Sequence, residues 1–232
     1  MKAQEFVQTN VAYHNELNPV AWQGTDLKPE VRYKLLSAAK VFIDYLEVPG
    51  FQVLDVVLTG SMANYNYTKF SDFDVHVVTK YADLQCDNLA KAFYTAKKQI
   101  WNDAHNISIK GHEVELYVED IEEPPVSGGV FGLLDNKWLT KPSYNPPQIN
   151  NSAVNAKVRD LITQIQYAIQ GDSTDIKHVM DKIKHMRRAG LDKNGEFSVE
   201  NLAFKILRNE GYIKKLHNAF TQRQDSELSL AQ

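Results

Sequence analysis

One apolar run ends in the turn Leu58-Thr59-Gly60-Ser61. After a short polar stretch, a second run opens as Ser71-Asp72-Phe73-Asp74-Val75-His76-Val77-Val78. This pairing constrains the chain more than any other stretch. In an extended strand side chains i and i+2 share a face, so Asp72 and Asp74 project together. Aspartate is depleted in strands, and two on one face repel unless a cation lies between them. Paired carboxylates suit a hard divalent ion, with Mg²⁺ the usual choice beside phosphates. A glycine-serine turn lets backbone N–H groups come close to phosphate oxygens. A phosphate cradle beside a carboxylate pair points to nucleotide chemistry.

The rest of the chain supplies a core for such a site. Helical spacing runs from Pro29 through Val31, Leu35, Phe42 and Leu46 to Pro49-Gly50, and Phe51 to Thr59 reads as a buried strand. Leu89, Ala92, Phe93, Ala96 and Ile100 share one helical face, and Ile107 to Val118 reads as two strands joined at Lys110-Gly111. The order predicts an α+β fold, a small mixed β-sheet core flanked by helices and spanning 1–121. Prolines and glycines across 122–150 predict a linker around the apolar piece Val130 to Leu139. A helical C-terminal region follows over 151–225, in three apolar stripes with Ser198 as an N-cap of the third, and 226–232 reads as a flexible tail.

A third carboxylate completes the pair's chemistry. In Glu113-Val114-Glu115-Leu116 both glutamates point to one strand face; Glu115 sits in mid-strand between apolar neighbours, Glu113 nearer the turn. We therefore take Glu115 as the third acid, with Glu113 the alternative. His76 shares the strand face of Asp72 and Asp74, where a neighbouring polar group would also satisfy it. Lys182, Lys184, His185, Arg187 and Arg188 crowd what reads as a helix end. They complement the helix dipole there or contact a triphosphate or RNA. Tyr65, Tyr67 and Tyr212 are candidates for stacking on a base.

The net charge of −3 on 232 residues is that of an ordinary globular chain. It is unevenly spread, acidic before Asn150 and mildly basic after it. The single Cys86 excludes an internal disulfide and a cysteine-rich zinc site. The opening residues lack an apolar targeting core and no run approaches a membrane span, so the sequence predicts a cytoplasmic protein with no membrane partner.

Together Gly60-Ser61, Ala63, Ser71, Asp72-x-Asp74, the apolar Val75, Val77 and Val78, and a later strand acid resemble the DNA polymerase β-like nucleotidyltransferase superfamily. The resemblance covers about 50 to 120. It implies that Gly60 and Ser61 hold a nucleoside triphosphate while Asp72, Asp74 and Glu115 hold two Mg²⁺ ions. A hydroxyl then attacks the α-phosphate in line and pyrophosphate leaves. Many relatives carry arginines after Gly-Ser, where this chain has Met62 and Asn64-Tyr65; Lys69, Lys182 and Arg187 are the candidates to replace that charge. Asn136-Lys-Trp-Leu and the segment from Gly195 to Arg208 look like stretches of nucleotidyltransferases from tailed phages. The expected activity is NMP transfer, with ATP the default donor, to an acceptor that could be RNA or tRNA, a protein or a small molecule. The alternative is a catalytically silent nucleotide- or nucleic-acid-binding module on the same fold.

Overall fold

The computed structural model describes residues 13–83, 87–123 and 127–230; Cys86 lies outside them. A two-residue pair, β1 (Trp22–Gln23) and β2 (Asp26–Leu27), leads into helix α1 (Pro29–Leu46). Pro29 fits the first turn because its missing N–H would have no helical partner there. Strands β3 (Asp55–Thr59) and β4 (Phe73–Thr79) follow, then helix α2 (Asp87–Ala104), strands β5 (Ser108–Ile109) and β6 (His112–Asp120), and the short β7 (Val130–Gly132) and β8 (Lys137–Thr140). Lys110 and Gly111 both take positive φ, as a two-residue hairpin between β5 and β6 requires.

Six of these strands form one mixed sheet in the order β5-β6-β4-β3-β7-β8. Only β4 and β6 run parallel; every other neighbouring pair is antiparallel. A parallel pair needs a crossover rather than a tight turn, and α2 supplies it. One face of the sheet is the core. Val56, Leu58, Phe73, Val75, Val77, Val114 and Leu116 are buried there with Leu35 and Phe42 of α1 and Tyr94 and Trp101 of α2. The other face has a small cluster of Val57, Val78 and Val130, and otherwise presents the polar side chains of β4 and β6.

The inward face of α2 differs from the one its aliphatic spacing predicts. Leu89, Phe93 and Ile100 are exposed, whereas Ala90, Tyr94 and Trp101 are buried. The aromatic rings set the phase: Tyr94 packs against Phe51 and Tyr81, and Trp101 against Phe42 and Tyr45. Tyr94 and Trp101 together bury more apolar area than the predicted face, whose one ring is Phe93.

The stretch 122–150 is also more than a linker, since β7 pairs with β3 and β8 extends the sheet. Phe131 and Trp138 close on Trp22, Trp138 stacked at 4.7 Å and Phe131 edge-on at 5.1 Å. Arg32 of α1 donates to the carbonyls of Leu133 (2.7 Å) and Leu134 (2.8 Å), fixing the turn between the two strands.

Ala12–Asn145 forms one compact unit, and Pro146–Gln232 belongs to a second, which is helical. Its helices are α3 (Asn151–Ala168), α4 (Ser173–Asn194), α5 (Val199–Asn209) and α6 (Tyr212–Leu228). Asn150, Asp172 and Ser198 cap the first three through their side chains. The third apolar stripe is broken into α5 and α6 by Gly211 at φ 79, and α6 continues through Leu228 into the expected tail. Among the described residues no helix is long and apolar enough to cross a membrane.

Asp55 opens β3 with its carboxylate accepting from the Val56 N–H at 2.7 Å. Burial nevertheless pushes its carboxyl above the usual aspartate value, outweighing the hydrogen bonds from Val56 and Leu134. The folded state therefore favours the protonated form, and that contribution is lost as pH rises through the raised value. Asp55→Asn mimics the protonated form. Its melting temperature relative to the natural chain is expected to be higher at pH 7 than at pH 4, as thermal denaturation at the two pH values would read.

Candidate active site

The site is built where β3 ends. Gly60 follows Thr59 at φ 71 and ψ −158 and starts a single 3₁₀ turn, Ser61–Ala63. That backbone region is essentially restricted to glycine. A Cβ here would also lie 1.9 Å from Asp74 Oδ2, so the missing side chain is what lets the carboxylate rest against the turn.

Several contacts hold the turn. Ser61 Oγ donates to Ser71 Oγ at 2.7 Å, and Ser71 Oγ accepts from the Thr68 N–H at 2.8 Å. The Ser71 carbonyl lies 2.6 Å from His112 Nδ1 on β6. Trp22 Nε1 donates to the Met62 carbonyl at 2.7 Å, and Met62 itself is fully buried. Gly129 passes so close to Ala63 that a Cβ would sit 2.0 Å from the Ala63 carbonyl oxygen.

The acids meet across the parallel pair. Asp74 lies opposite Glu115 on one side and Thr59 on the other, so all three side chains share a sheet face. Asp72 immediately precedes β4. Glu113 is exposed beside Ser108, whereas Glu115 is half-buried and accepts a hydrogen bond from the Tyr117 hydroxyl. Burial first, then the charges of Asp74 and Glu115, push the Tyr117 hydroxyl far above its ordinary value. It therefore stays a proton donor across the working pH range. His76 lies opposite Tyr117, stacks on its ring at 4.5 Å and pairs with Glu119. Lys98 of α2 places Nζ 4.1 Å from the centroid of the same Tyr117 ring and so brings a cation to this acidic face.

As the side chains stand, no three His, Cys, Asp or Glu groups among the described residues are gathered closely enough to hold a metal ion. The backbone register nevertheless puts oxygen donors of the right kind side by side, and Glu115 is turned to Tyr117. A hard cation fits this donor set by its chemistry.

The remaining sequence candidates fall elsewhere. Lys69 is exposed, with Nζ 4.8 Å from the Phe70 ring centroid. Lys182 and Arg187 belong to the helical unit. Lys182 donates to Gln164 at 2.8 Å; Arg187 donates to Asn201 at 3.1 Å and lies 4.2 Å over the Phe204 ring. Burial and then nearby Arg208 pull the Arg187 guanidinium below its usual value. The basic cluster is not at a helix end, because α4 runs on to Asn194. Tyr117 and Lys98 escaped the sequence reading. Tyr117 was findable as the i+2 neighbour of Glu115, but nothing in the spacing of α2 singles out Lys98.

Residues 43–131 match the family model of the nucleotidyltransferase domain. That stretch, which holds the Gly60 turn, Asp72, Asp74 and Glu115, is similar to a nucleotidyltransferase domain. Such a domain moves a nucleoside monophosphate from a nucleoside triphosphate, and the match supports a transferase. No curated protein matches it. A solved structure of the STING-associated CdnE c-di-GMP synthase from Capnocytophaga granulosa is similar at 10% identity and a TM-score of 0.21, over 96% of this chain and 92% of that one. So low a score carries no argument about this chain.

Gly60→Ala tests the turn. The substitution combines a strained backbone with a collision against Asp74, and is expected to destabilise the fold by at least about 1–3 kcal/mol. A lower urea midpoint at unchanged slope would show it, whereas a stability within error of the natural chain would contradict the close approach.

Proposed function

We propose that this chain transfers an NMP, with ATP as the default donor, to a hydroxyl acceptor and releases pyrophosphate. The observation that carries the reading is the position of Asp74, seated against the bare Gly60 turn and register-paired with Glu115. Asp72, Asp74 and Glu115 would hold two Mg²⁺ ions. When bound, these supply charge for the phosphate oxygens and activate the attacking hydroxyl.

The chain's own residues do the rest. Gly60 seats the Asp74 carboxylate against the turn at which a phosphate group would bind, and the Ser61 hydroxyl, held by Ser71, stands at the same turn. The Tyr117 hydroxyl, kept protonated, orients Glu115. Lys69 is an exposed cation available to replace the absent arginines, while within the helical unit Lys182 donates to Gln164 and Arg187 is engaged by Asn201 and Phe204. RNA is the acceptor class favoured by the mildly basic C-terminal region. A cytoplasmic setting belongs to the same proposal.

The test is incubation with α-labelled NTPs and Mg²⁺, total RNA and lysate, resolving label on RNA, protein and small molecules. Label on RNA with pyrophosphate release is expected. Asp74→Asn should lower release about 100-fold or more without lowering the melting temperature. Tight ATP binding with no pyrophosphate released on any acceptor class would replace transfer by a binding role.

A further inference from the structure

Thr59 is the last residue of β3 and lies directly opposite Asp74. It is 3% exposed, and its Oγ1 has no hydrogen-bond partner among the described residues. Thr79, equally buried at the far end of β4, donates to the Gln52 carbonyl at 2.7 Å. Three of the residues before Thr59 in its strand, Val56, Val57 and Leu58, are apolar and buried. A valine would therefore continue the strand without leaving a polar atom unsatisfied. A buried hydroxyl without a partner carries a desolvation cost, and such groups call for a specific explanation.

The position supplies one. Directly opposed residues in an antiparallel pair have Cβ atoms about 4.5–5.5 Å apart. Rotation about the Thr59 Cα–Cβ bond into another staggered well brings Oγ1 within reach of the Asp74 carboxylate. We propose that Thr59 is a positioning residue for Asp74, its hydroxyl donating to one carboxylate oxygen when the other is taken by a divalent cation. Outer partners of this kind orient ligating carboxylates and tune their affinity. The inference rests on the metal-dependent reading of the site.

Thr59→Val removes the hydroxyl and keeps the shape. Binding of Mn²⁺ alone to the full chain, followed by electron paramagnetic resonance of the free ion, is expected to weaken about 10-fold in this variant. Thr59→Ser should retain the natural affinity. Without metal, Thr59→Val should melt at or above the natural temperature, because it deletes an unsatisfied buried group. A lower melting temperature would show that the hydroxyl supports the fold and would overturn the proposal. Asp74→Asn tells loss of the metal site from loss of the Thr59 role. If Asp74→Asn abolishes Mn²⁺ binding while Thr59→Val binds like the natural chain, the Thr59 role alone falls. If the natural chain does not bind Mn²⁺, or Asp74→Asn binds it equally well, the metal reading falls and takes the Thr59 role with it.

Discussion

The parallel pairing of β4 and β6 is the constraint on which the site depends. Its register sets Asp74 opposite Glu115 and His76 opposite Tyr117, so residues more than forty positions apart in sequence become neighbours on one face. The crossover helix α2 makes that pairing possible, and its aromatic side chains fasten it to the core. On the opposite side of β4, antiparallel β3 delivers the Gly60 turn to the same carboxylate. Asp74 is thus defined from both neighbouring strands, and a slip of one residue in either would turn the acids onto the wrong face.

Tyr117 gives the acidic face its second layer. Its hydroxyl engages Glu115, its ring stacks with His76, and Lys98 lies over it. The negative charge of the site is therefore not left to the carboxylates alone. A neutral donor and a cation lie within the same side-chain cluster, where reduced solvent access strengthens their interactions.

Much of this was legible in the sequence, because the governing signals are local. The alternation of Asp74 and His76 with buried neighbours fixes their common face, and Lys110-Gly111 announces the β5–β6 hairpin. Glu115 could be separated from Glu113 by its place in mid-strand. Non-local packing was less legible. The phase of α2 is set by contacts of Tyr94 and Trp101 with distant rings, which aliphatic periodicity does not encode. Strands β7 and β8 are too short to stand out between prolines and glycines, and they exist because β3 has an edge for them to join. The partnerless hydroxyl of Thr59 likewise emerges only when the surrounding atoms are in place.

The late position of β7 and β8 also has a consequence for how the chain acquires its site. Trp22 holds the Met62 carbonyl from one side and stacks on Trp138 from the other, while Arg32 reaches the carbonyls after β7. The contacts of Trp22 with Trp138 and of Arg32 with those carbonyls span more than a hundred residues, and such contacts are slow to form because loop-closure entropy precedes their reward. During synthesis, the turn and its acids are made early, but the pieces that brace them arrive only after residue 138 has emerged. Until then, β3 has an unpaired edge on the side later taken by β7. Seating of the nucleotide turn is therefore coupled to completion of the whole sheet unit.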